Sequence, residues 1–282
     1  MKHTPSAGPQ GPDAYPSLKR RSIIVTGAGQ GIGRCLSLAL AERGANVLAI
    51  ASRDLDSLRE TVTMSLGLTG HIVALPADIC SIADCNKAVD FAVSEFGGLH
   101  ALVNNAARGI SYVRAPSGGK AVPFWEADKT RWAETMTTNV IGTYYMSAVA
   151  VPHMKDQAFG RIINISTSDR SMIREMNSPY GPSKAALEAM SVAWSKETAK
   201  FGVTVNVLLP GGATRTRMIT GVSKRVPLEP DVMNPAILWL CSDKSSGYSG
   251  GRYIAADWNA EIDPEQAANS ARQIAHDLPV IM

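Results

Sequence analysis

A strand, a glycine-rich turn and a helix follow one another near the start of the chain. Residues 23–25 are apolar, residues 26–33 read TGAGQGIG, and apolar side chains then recur with helical spacing at positions 32, 36 and 40. At such a junction the first helical amides lack intrahelical partners, and glycines let a pyrophosphate approach the backbone closely. The segment therefore predicts a nucleotide-binding turn. Its predicted binding residues are Gly27, Gly29, Gln30, Gly31, Ile32 and Gly33.

Short runs rich in β-branched residues alternate with longer segments of helical periodicity from residue 22 onward. This alternation predicts the Rossmann-type, doubly wound α/β class, in which helices cover both faces of a parallel sheet and the loops at the strand C-termini form the site. Seven strands are predicted, at residues 22–27, 46–51, 71–76, 100–104, 161–166, 203–209 and 251–256. Helices are predicted near residues 31–43, 54–66, 81–96, 129–155, 179–201 and 231–241.

The chain has 282 residues, 45% of them hydrophobic, which is enough for one large domain but not for a second. We expect that domain to span residues 21–258. Residues 1–20 are rich in proline and glycine and are expected to form a flexible arm. Residues 259–282 are expected to form a tail with a short capped helix, from Asp263 to Leu278, that ends at Pro279.

Composition argues against several classes of protein. The formal net charge is only +3, and no stripe of basic residues indicates nucleic-acid binding. The apolar stretch at residues 140–154 is too short to span a bilayer and predicts a buried helix. No apolar signal segment follows the basic N-terminus, so we expect a cytoplasmic protein without a membrane partner. The scattered cysteines and histidines form no recognisable set of metal ligands.

Tyr180 and Lys184 lie four positions apart at the start of a predicted helix, so they share one face of it. A phenol with a pKa near 10 is too weak an acid for work at neutral pH. A cation about 4 Å away, in an effective dielectric of ~20, contributes ~4 kcal/mol and can lower that pKa by a few units. The spacing alone is common, and a surface pair is the ordinary alternative.

Together these motifs resemble the short-chain dehydrogenase/reductase family, in particular its 3-oxoacyl-ACP reductases. The resemblance covers residues 20–257, and its motifs are specific only jointly. They are residues 26–33, Asp78-Ile79, Asn104-Asn105-Ala106, Asn139, the Tyr180/Lys184 pair and Pro210-Gly211. The resemblance implies a hydride exchange between a nicotinamide and a ketone or secondary alcohol. It also implies that the protein is a homotetramer or homodimer.

Carried over position by position, the resemblance implies a role for each candidate residue. Tyr180 exchanges a proton with the substrate oxygen. Lys184 holds the nicotinamide ribose and lowers the pKa of the tyrosine. Asn139 anchors a water in the proton relay; the ordinary alternative is a polar group that bonds locally within its helix. The further cofactor contacts that it implies are Asp78, Ile79, Asn105, Ala106, Ala107, Pro210, Gly211, Thr214 and Thr216.

Two positions depart from the family pattern. The family serine that donates a hydrogen bond to the carbonyl is replaced, on spacing, by Thr167, whose extra methyl narrows the pocket. Ser168 becomes the donor if the loop is one residue shorter, so both remain candidates. Ala107 stands where the family has glycine, which is tolerable if its φ stays negative.

The end of the second predicted strand bears on the choice of nicotinamide cofactor. The position where NAD-binding proteins of this fold carry an acid is Ala51, and Ser52 and Arg53 follow it. A hydroxyl and a guanidinium suit a 2′-phosphate, which favours NADP(H). Arg34 is a second candidate cation. Asp54 keeps NAD(H) open, because a one-residue shift would bring it to the ribose; its ordinary role is to cap the next helix.

The leading hypothesis is an NAD(P)-dependent oxidoreductase, with NADP(H) favoured, acting on a small carbonyl or alcohol substrate. The alternative is a catalytically weak NADP-binding regulatory protein of the same fold. Tyr180, Lys184 and Asn139 favour the enzyme. Thr167 and Ala107 favour the alternative.

Overall fold

One mixed sheet of eight strands forms the centre of the computed structural model, which describes residues 14–217 and 226–273. The strands are β1 (Ser22–Thr26), β2 (Asn46–Ala51), β3 (His71–Pro76), β4 (Ala101–Asn104), β5 (Gly160–Ile165), β6 (Val203–Leu209), β7 (Arg252–Ile254) and β8 (Arg272–Gln273). Their spatial order is β3-β2-β1-β4-β5-β6-β7-β8. The first seven run parallel, as predicted, and β8 is antiparallel to β7.

Helices connect successive parallel strands. They are α1 (Gly31–Glu42), α2 (Leu55–Met64), α3 (Ile82–Phe96), α4 (Ile110–Arg114), α5 (Lys129–Met136), α6 (Thr143–Asp156), α7 (Asp169–Met172), α8 (Tyr180–Thr198), α9 (Asn234–Cys241) and α10 (Pro264–Ala271). A π-helical segment, Thr137–Gly142, joins α5 to α6, so the long helix predicted at residues 129–155 is present but locally widened. Short 3-10 turns lie at Pro16–Leu18, Ala115–Ser117, Ala199–Phe201, Pro230–Met233, Asp243–Ser245 and Ala255–Asp257.

The strand order reverses direction between β1 and β4, which are hydrogen-bonded neighbours. The chain leaves β1 toward β2 on one side, and leaves β4 toward β5 on the other. The loops after these two strands therefore diverge and leave a crevice at the carboxyl edge of the sheet, where ligands bind in folds of this class. The glycine-rich turn follows β1 directly, which places it at this crevice.

Side chains of the central strands alternate between two apolar layers. Ile23 and Val25 of β1 pack in one layer with Leu36 of α1, whereas Ile24 packs in the other with Met146 of α6. This period of two is the ordinary geometry of a strand, and burial on both faces explains why β1 is apolar throughout. The sheet is thus held rigidly beneath the crevice. The expected buried helix at residues 140–154 is present, with Met146 and Met154 fully buried.

The two ends of the chain differ from expectation. Tyr15 and Leu18 are 2% and 0% exposed and belong to the core, so the arm expected over residues 1–20 does not extend through them. Their burial removes large apolar surfaces from water. The structure also adds β8, which no strand pattern predicted. The tail helix ends at Ala271, not at Leu278, and the predicted stop at Pro279 lies outside the described residues.

Within residues 14–217 and 226–273, no helix is both long and apolar enough to cross a membrane. The same residues contain no group of three or more histidine, cysteine or acidic side chains arranged to hold a metal ion. All four cysteines are free thiols, and burial raises the pKa of each. They are therefore protonated and poor nucleophiles at neutral pH.

Candidate active site

Close backbone contacts explain why glycines occupy the turn after β1. A Cβ at Gly33 would lie 2.2 Å from the carbonyl oxygen of Gly27, which is impossible without moving the backbone. Gly27 and Gly31 have φ values of +65° and +55°, a left-handed conformation that favours glycine. The cap position of α1, Gln30, supplies no side-chain hydrogen bond to the first helical amides. Those amides are free to bind an anion.

A cleft of about 320 Å³ lies along this turn at the carboxyl edge of the sheet. Predicted binding residues line it from several loops. They are Gly27, Gly29, Gln30, Gly31, Ile32, Ser52, Arg53, Asp78, Ile79, Asn105, Ala106, Ala107 and Thr216. Gly33 does not line the cleft and lies against the backbone of Gly27. Pro210, Gly211 and Thr214 do not line the cleft either. The structure thus gathers into one cleft residues that are up to 189 positions apart in the sequence.

The carboxylate of Asp54 is fully engaged at the rim of the cleft. It caps α2 by accepting hydrogen bonds from the amide and hydroxyl of Ser57, at 3.0 and 2.6 Å, and it pairs with Arg217 at 3.0 Å. These contacts, those with Ser57 first, hold the pKa of Asp54 below its usual range. The capping alternative is therefore the one that the structure shows. Arg217 was not anticipated from the sequence.

The two candidate cations near the end of β2 differ in availability. Arg34 is turned inward, where its guanidinium donates to the carbonyl oxygens of Gly29 and Ser57 at 2.6 and 3.0 Å and pairs with Glu60. Arg53 is exposed, lines the cleft and lies 5.9 Å from the ring centre of Tyr112. Arg53 is thus the cation of this pair that faces a ligand.

Asp78 and Ile79 lie at the other side of the cleft, after β3. The helix that follows, α3, is capped by Ser81, whose hydroxyl accepts from the amide of Asp84 at 3.2 Å. Asp78 therefore does not cap that helix. Its carboxylate accepts a hydrogen bond from the amide of Cys80 at 2.9 Å and faces the cleft.

Asn105 ties the end of β4 to the glycine turn. Its side-chain amide donates to the carbonyl oxygens of Thr26 and Gly27 at 2.9 and 3.1 Å, and the Thr26 hydroxyl accepts from the amides of Asn105 and Ala106. These bonds fix the distance between the two loops that border the crevice. Ala107 does not have a positive φ, so its methyl group is accommodated as the sequence required.

Tyr180 begins α8, and Lys184 lies one turn later on the same face. Burial raises the pKa of Tyr180, and hydrogen bonding by the Thr167 hydroxyl and the charge of Arg174 oppose that increase. The opposing charge is that of Arg174 and not that of Lys184, so the expectation that Lys184 lowers the pKa of Tyr180 stays a prediction. The ammonium of Lys184 is 4% exposed and donates to the carbonyl oxygen of Ile165 at 2.7 Å. Burial lowers its pKa to about 8, against the opposing charge of Glu188.

The structure separates the two candidate hydroxyls after β5. Thr167 is the hydroxyl whose hydrogen bonding opposes the rise in the pKa of Tyr180, while the Ser168 hydroxyl is exposed and lies 3.1 Å from that of Ser171. The geometry therefore brings Thr167, and not Ser168, to the tyrosine.

Asn139 lies in the π-helical segment and is 1% exposed. Its side chain accepts from the amide of Arg108 at 2.8 Å and donates to the carbonyl oxygen of the same residue at 3.1 Å. It also donates to the hydroxyl of Ser183, beside Lys184, at 2.9 Å. Asn139 thus joins the loop after β4 to α8. The alternative of a purely local helix contact is wrong.

The comparisons agree with this site. A profile of the family described as short chain dehydrogenase matches residues 21–226. The chain belongs to this short-chain dehydrogenase family. Members of the family use nicotinamide cofactors, so the protein is an oxidoreductase.

Individual relatives are distant. The chain is 30% identical to the short chain dehydrogenase mpl6 of Monascus purpureus, over 88% of this chain and 86% of that protein. It is also 30% identical to the peroxisomal hydratase-dehydrogenase-epimerase of Neurospora crassa, over 89% of this chain but only 27% of that longer protein. The crystal structure of a short-chain type dehydrogenase/reductase from Mycobacterium marinum has the same fold, with a TM-score of 0.76, 24% identity, and coverage of 86% and 97% of the two chains.

The loop after β6 of this short-chain dehydrogenase is described up to residue 217. Gly211 has a φ of +94°, and a Cβ there would meet that of Ala256 at 2.6 Å. The Thr214 hydroxyl donates to the carbonyl oxygen of Gly212 at 3.3 Å, and Thr216 packs its methyl group beside Gly31. Thr216 therefore reaches the cleft, whereas Gly211 and Thr214 shape the loop.

Proposed function

We propose that this short-chain dehydrogenase transfers a hydride between NADP(H) and a ketone or secondary alcohol, with Tyr180 as the general acid and base. The observation that carries the proposal is the joint placement of three groups at the end of β5. Hydrogen bonding by Thr167 opposes the rise in the pKa of the Tyr180 phenol. Lys184, whose buried ammonium donates to the carbonyl oxygen of Ile165, lies one turn later on α8. A phenol such as that of Tyr180 donates or accepts a proton at the substrate oxygen.

The residues of the cleft fit a dinucleotide. The turn from Gly27 to Gly33 has no room for a Cβ at its closest points, and the first amides of α1 lack a side-chain cap, as a pyrophosphate requires. Asp78 and Ile79 would hold the adenine, and Lys184 the nicotinamide ribose. When bound, the nicotinamide supplies or accepts the hydride.

The protein side of the chemistry is a controlled movement of one proton. In the reducing direction Tyr180 gives its proton to the substrate oxygen, and the resulting phenolate needs a nearby positive charge. A protonated Lys184 supplies it, and because its pKa is about 8, it carries that charge near neutral pH. Thr167 donates to the substrate oxygen and thereby polarises the carbonyl. Asn139 would anchor the water through which the proton is replaced.

A preference for NADP(H) is supported by the end of β2. Ala51 offers no carboxylate, Asp54 is occupied by Ser57 and Arg217, and Arg53 faces the cleft without a carboxylate partner among the described residues. A guanidinium in this position recognises a 2′-phosphate.

We also propose that the protein self-associates as a homodimer or homotetramer. Ile141, in the π-helical segment, and Tyr144, at the start of α6, are 40% and 48% exposed, so both side chains are available for contact with a second copy. Light scattering would measure the mass directly. A cytoplasmic location and the 3-oxoacyl-ACP-reductase subtype stay predictions.

Loss of NADPH absorbance with a panel of ketones, oxoacyl thioesters and sugars tests the proposed reaction. Tyr180→Phe is expected to lower turnover by about 10²–10⁴-fold, because it removes only the ionisable hydroxyl. NADPH affinity, measured by cofactor fluorescence, is expected to stay within about 2-fold, since the ring is retained. A Tyr180→Phe variant with near wild-type turnover would disprove the mechanism. NADPH binding without turnover on any compound would favour the regulatory alternative.

A further inference from the structure

The guanidinium of Arg252, the first residue of β7, joins three parts of the fold. Its Nε donates to Glu188 of α8 at 2.9 Å. Its Nη2 donates to the main-chain carbonyl of Thr167 at 2.9 Å and to the carboxylate of Asp169 at 2.6 Å. Only 13% of the side chain is exposed. Its Nη1 donates to the side chain of Gln273 in β8. An arginine held by four acceptors in this way fixes their relative positions, because its donors form a rigid planar fork.

Glu188 is buried and uses both carboxylate oxygens. One accepts from Arg252 and the other accepts from the hydroxyl of Ser166 at 2.5 Å. It lies on α8 one turn after Lys184, and its charge favours the protonated form of that lysine. A buried carboxylate persists only when it is paired and hydrogen-bonded, so the ion pair with Arg252 accounts for its presence here.

Three consecutive residues at the end of β5 are therefore held by three side chains. Lys184 binds the carbonyl oxygen of Ile165, Glu188 binds the hydroxyl of Ser166, and Arg252 binds the carbonyl oxygen of Thr167. Each contact restricts the backbone just where the chain leaves the sheet. Thr167 is also the residue whose side-chain hydrogen bonding acts on the pKa of Tyr180.

We propose that Arg252 and Glu188 are positioning residues, which hold the Ile165–Thr167 backbone so that the Thr167 hydroxyl stays in contact with Tyr180. The proposal rests on the catalytic role of Thr167 proposed above. Neither residue needs to touch the substrate. A lysine at position 252 would keep the positive charge but could not reach Glu188, Thr167 and Asp169 together.

The chain offers a matched ion pair as a control. Arg21, just before β1, pairs with Asp243 at 2.7 Å, and 22% of its side chain is exposed. Arg21 precedes β1 and Thr167 follows β5, and these strands are parallel members of one sheet, so Arg21 and the Thr167 loop lie at opposite edges of it. Arg21→Lys therefore disturbs a comparable contact away from the site.

Hydrogen exchange followed by mass spectrometry tests the contact without any substrate. In Arg252→Lys, with the chain otherwise intact, the segment 166–172 is expected to exchange at least about 10-fold faster, since its anchoring contacts are weakened. Arg21→Lys is expected to leave that segment unchanged. Glu188→Gln, which keeps the size of the side chain, serves as a second variant if Arg252→Lys folds poorly. Unchanged exchange at 166–172 in a folded variant would overturn the proposal.

A double-mutant cycle then tests whether Arg252 acts through Thr167. Arg252→Lys is expected to lower kcat about 10- to 100-fold, as small misplacements of catalytic groups do, with little change in the Kd for NADPH. In a protein that already carries Thr167→Ala, Arg252→Lys should lower kcat by less than about a further 2-fold, because the group that Arg252 positions is gone. If the fold-reductions in kcat caused by the two substitutions multiply in the double variant, Arg252 acts independently of Thr167 and the proposal is overturned.

The pH profile adds a readout that a general loss of stability would not move. The hydrogen bond from Thr167 lowers the pKa of Tyr180, so weakening it raises that pKa. The rising limb of alcohol oxidation should shift to higher pH in both Arg252→Lys and Thr167→Ala, and not in Arg21→Lys. If the proposed reaction is wrong, Tyr180→Phe will leave turnover at the wild-type level. The hydrogen-exchange experiment would still show whether Arg252 holds the segment 166–172.

Discussion

The ammonium of Lys184 lies 2.7 Å from the main-chain carbonyl oxygen of Ile165, and both groups are buried beneath the end of β5. A backbone carbonyl is a neutral acceptor, so it compensates only part of the cost of burying the charge. This explains why the pKa of the lysine falls to about 8. The site thus holds a buried positive charge that is only partly compensated in the absence of substrate.

Replacement of Lys184 should trade activity for stability. Lys184→Met is expected to lower kcat by at least about 10²-fold, because the phenolate loses its cation. The same change should raise the free energy of unfolding at pH 7 by about 3 kcal/mol at most, since each pKa unit corresponds to about 1.4 kcal/mol. Chemical denaturation of both proteins measures the difference.

The pH dependence of that difference provides its control. Below pH 8 the lysine is charged in both the folded and the unfolded chain, so the full penalty applies. Between about pH 8 and 10 the unfolded chain binds more protons, and the wild type gains stability as pH rises. The advantage of Lys184→Met should therefore shrink over this interval. A constant difference from pH 7 to 10 would contradict the buried charge.

The two hydroxyls after β5 should respond differently to substitution. Thr167→Ser is expected to keep activity within about 5-fold, because the donor remains. Thr167→Ala should lose about 10²–10³-fold in kcat, the usual cost of removing a donor to a reacting oxygen. Ser168→Ala should stay near wild type, since its hydroxyl is directed to Ser171. Steady-state kinetics at saturating NADPH decide the order, and a larger loss in Ser168→Ala would reverse the assignment.

Cofactor preference should depend on Arg53. Arg53→Ala is expected to raise the KM for NADPH about 10- to 100-fold and to leave the KM for NADH nearly unchanged, because a charged hydrogen bond contributes about 1.5–3 kcal/mol. The matched control is Arg59→Ala, whose guanidinium pairs with Asp56 on the exposed surface of α2. Equal effects on both cofactors would assign Arg53 a general role in place of phosphate recognition.

The glycine turn should tolerate no side chain at its base. Gly33→Ala places a Cβ 2.2 Å from the carbonyl oxygen of Gly27, so we expect loss of NADPH binding in isothermal titration. Gly67→Ala is the control, since no atom lies within 4 Å of its added Cβ. Its positive φ of +89° should cost only about 1 kcal/mol of stability and leave binding intact. Normal NADPH binding by Gly33→Ala would refute the close approach.

Local patterns in the sequence predicted most of the fold. The seven parallel strands and the helices between them follow from periodicity, and the Tyr180/Lys184 pair follows from the spacing of one helix turn. These features depend on residues that are close in sequence.

Long-range contacts could not be predicted in the same way. Arg252 and Glu188 are 64 positions apart. The residues next to an arginine in the sequence do not show whether its side chain is exposed or buried against a helix. The ion pair of Asp54 with Arg217 shows the same limit, because the two residues are 163 positions apart, whereas its cap of α2 is a local contact with Ser57. Strand β8 is only two residues long and carries no periodicity to recognise.

The burial of Tyr15 and Leu18 has a practical side for anyone preparing this enzyme. Shortened clones that begin at Lys19 would leave holes where two large side chains had been, and each such hole costs about 3–5 kcal/mol. That loss is comparable to the whole stability margin of many proteins. A clone that keeps Tyr15 and Leu18 avoids this loss.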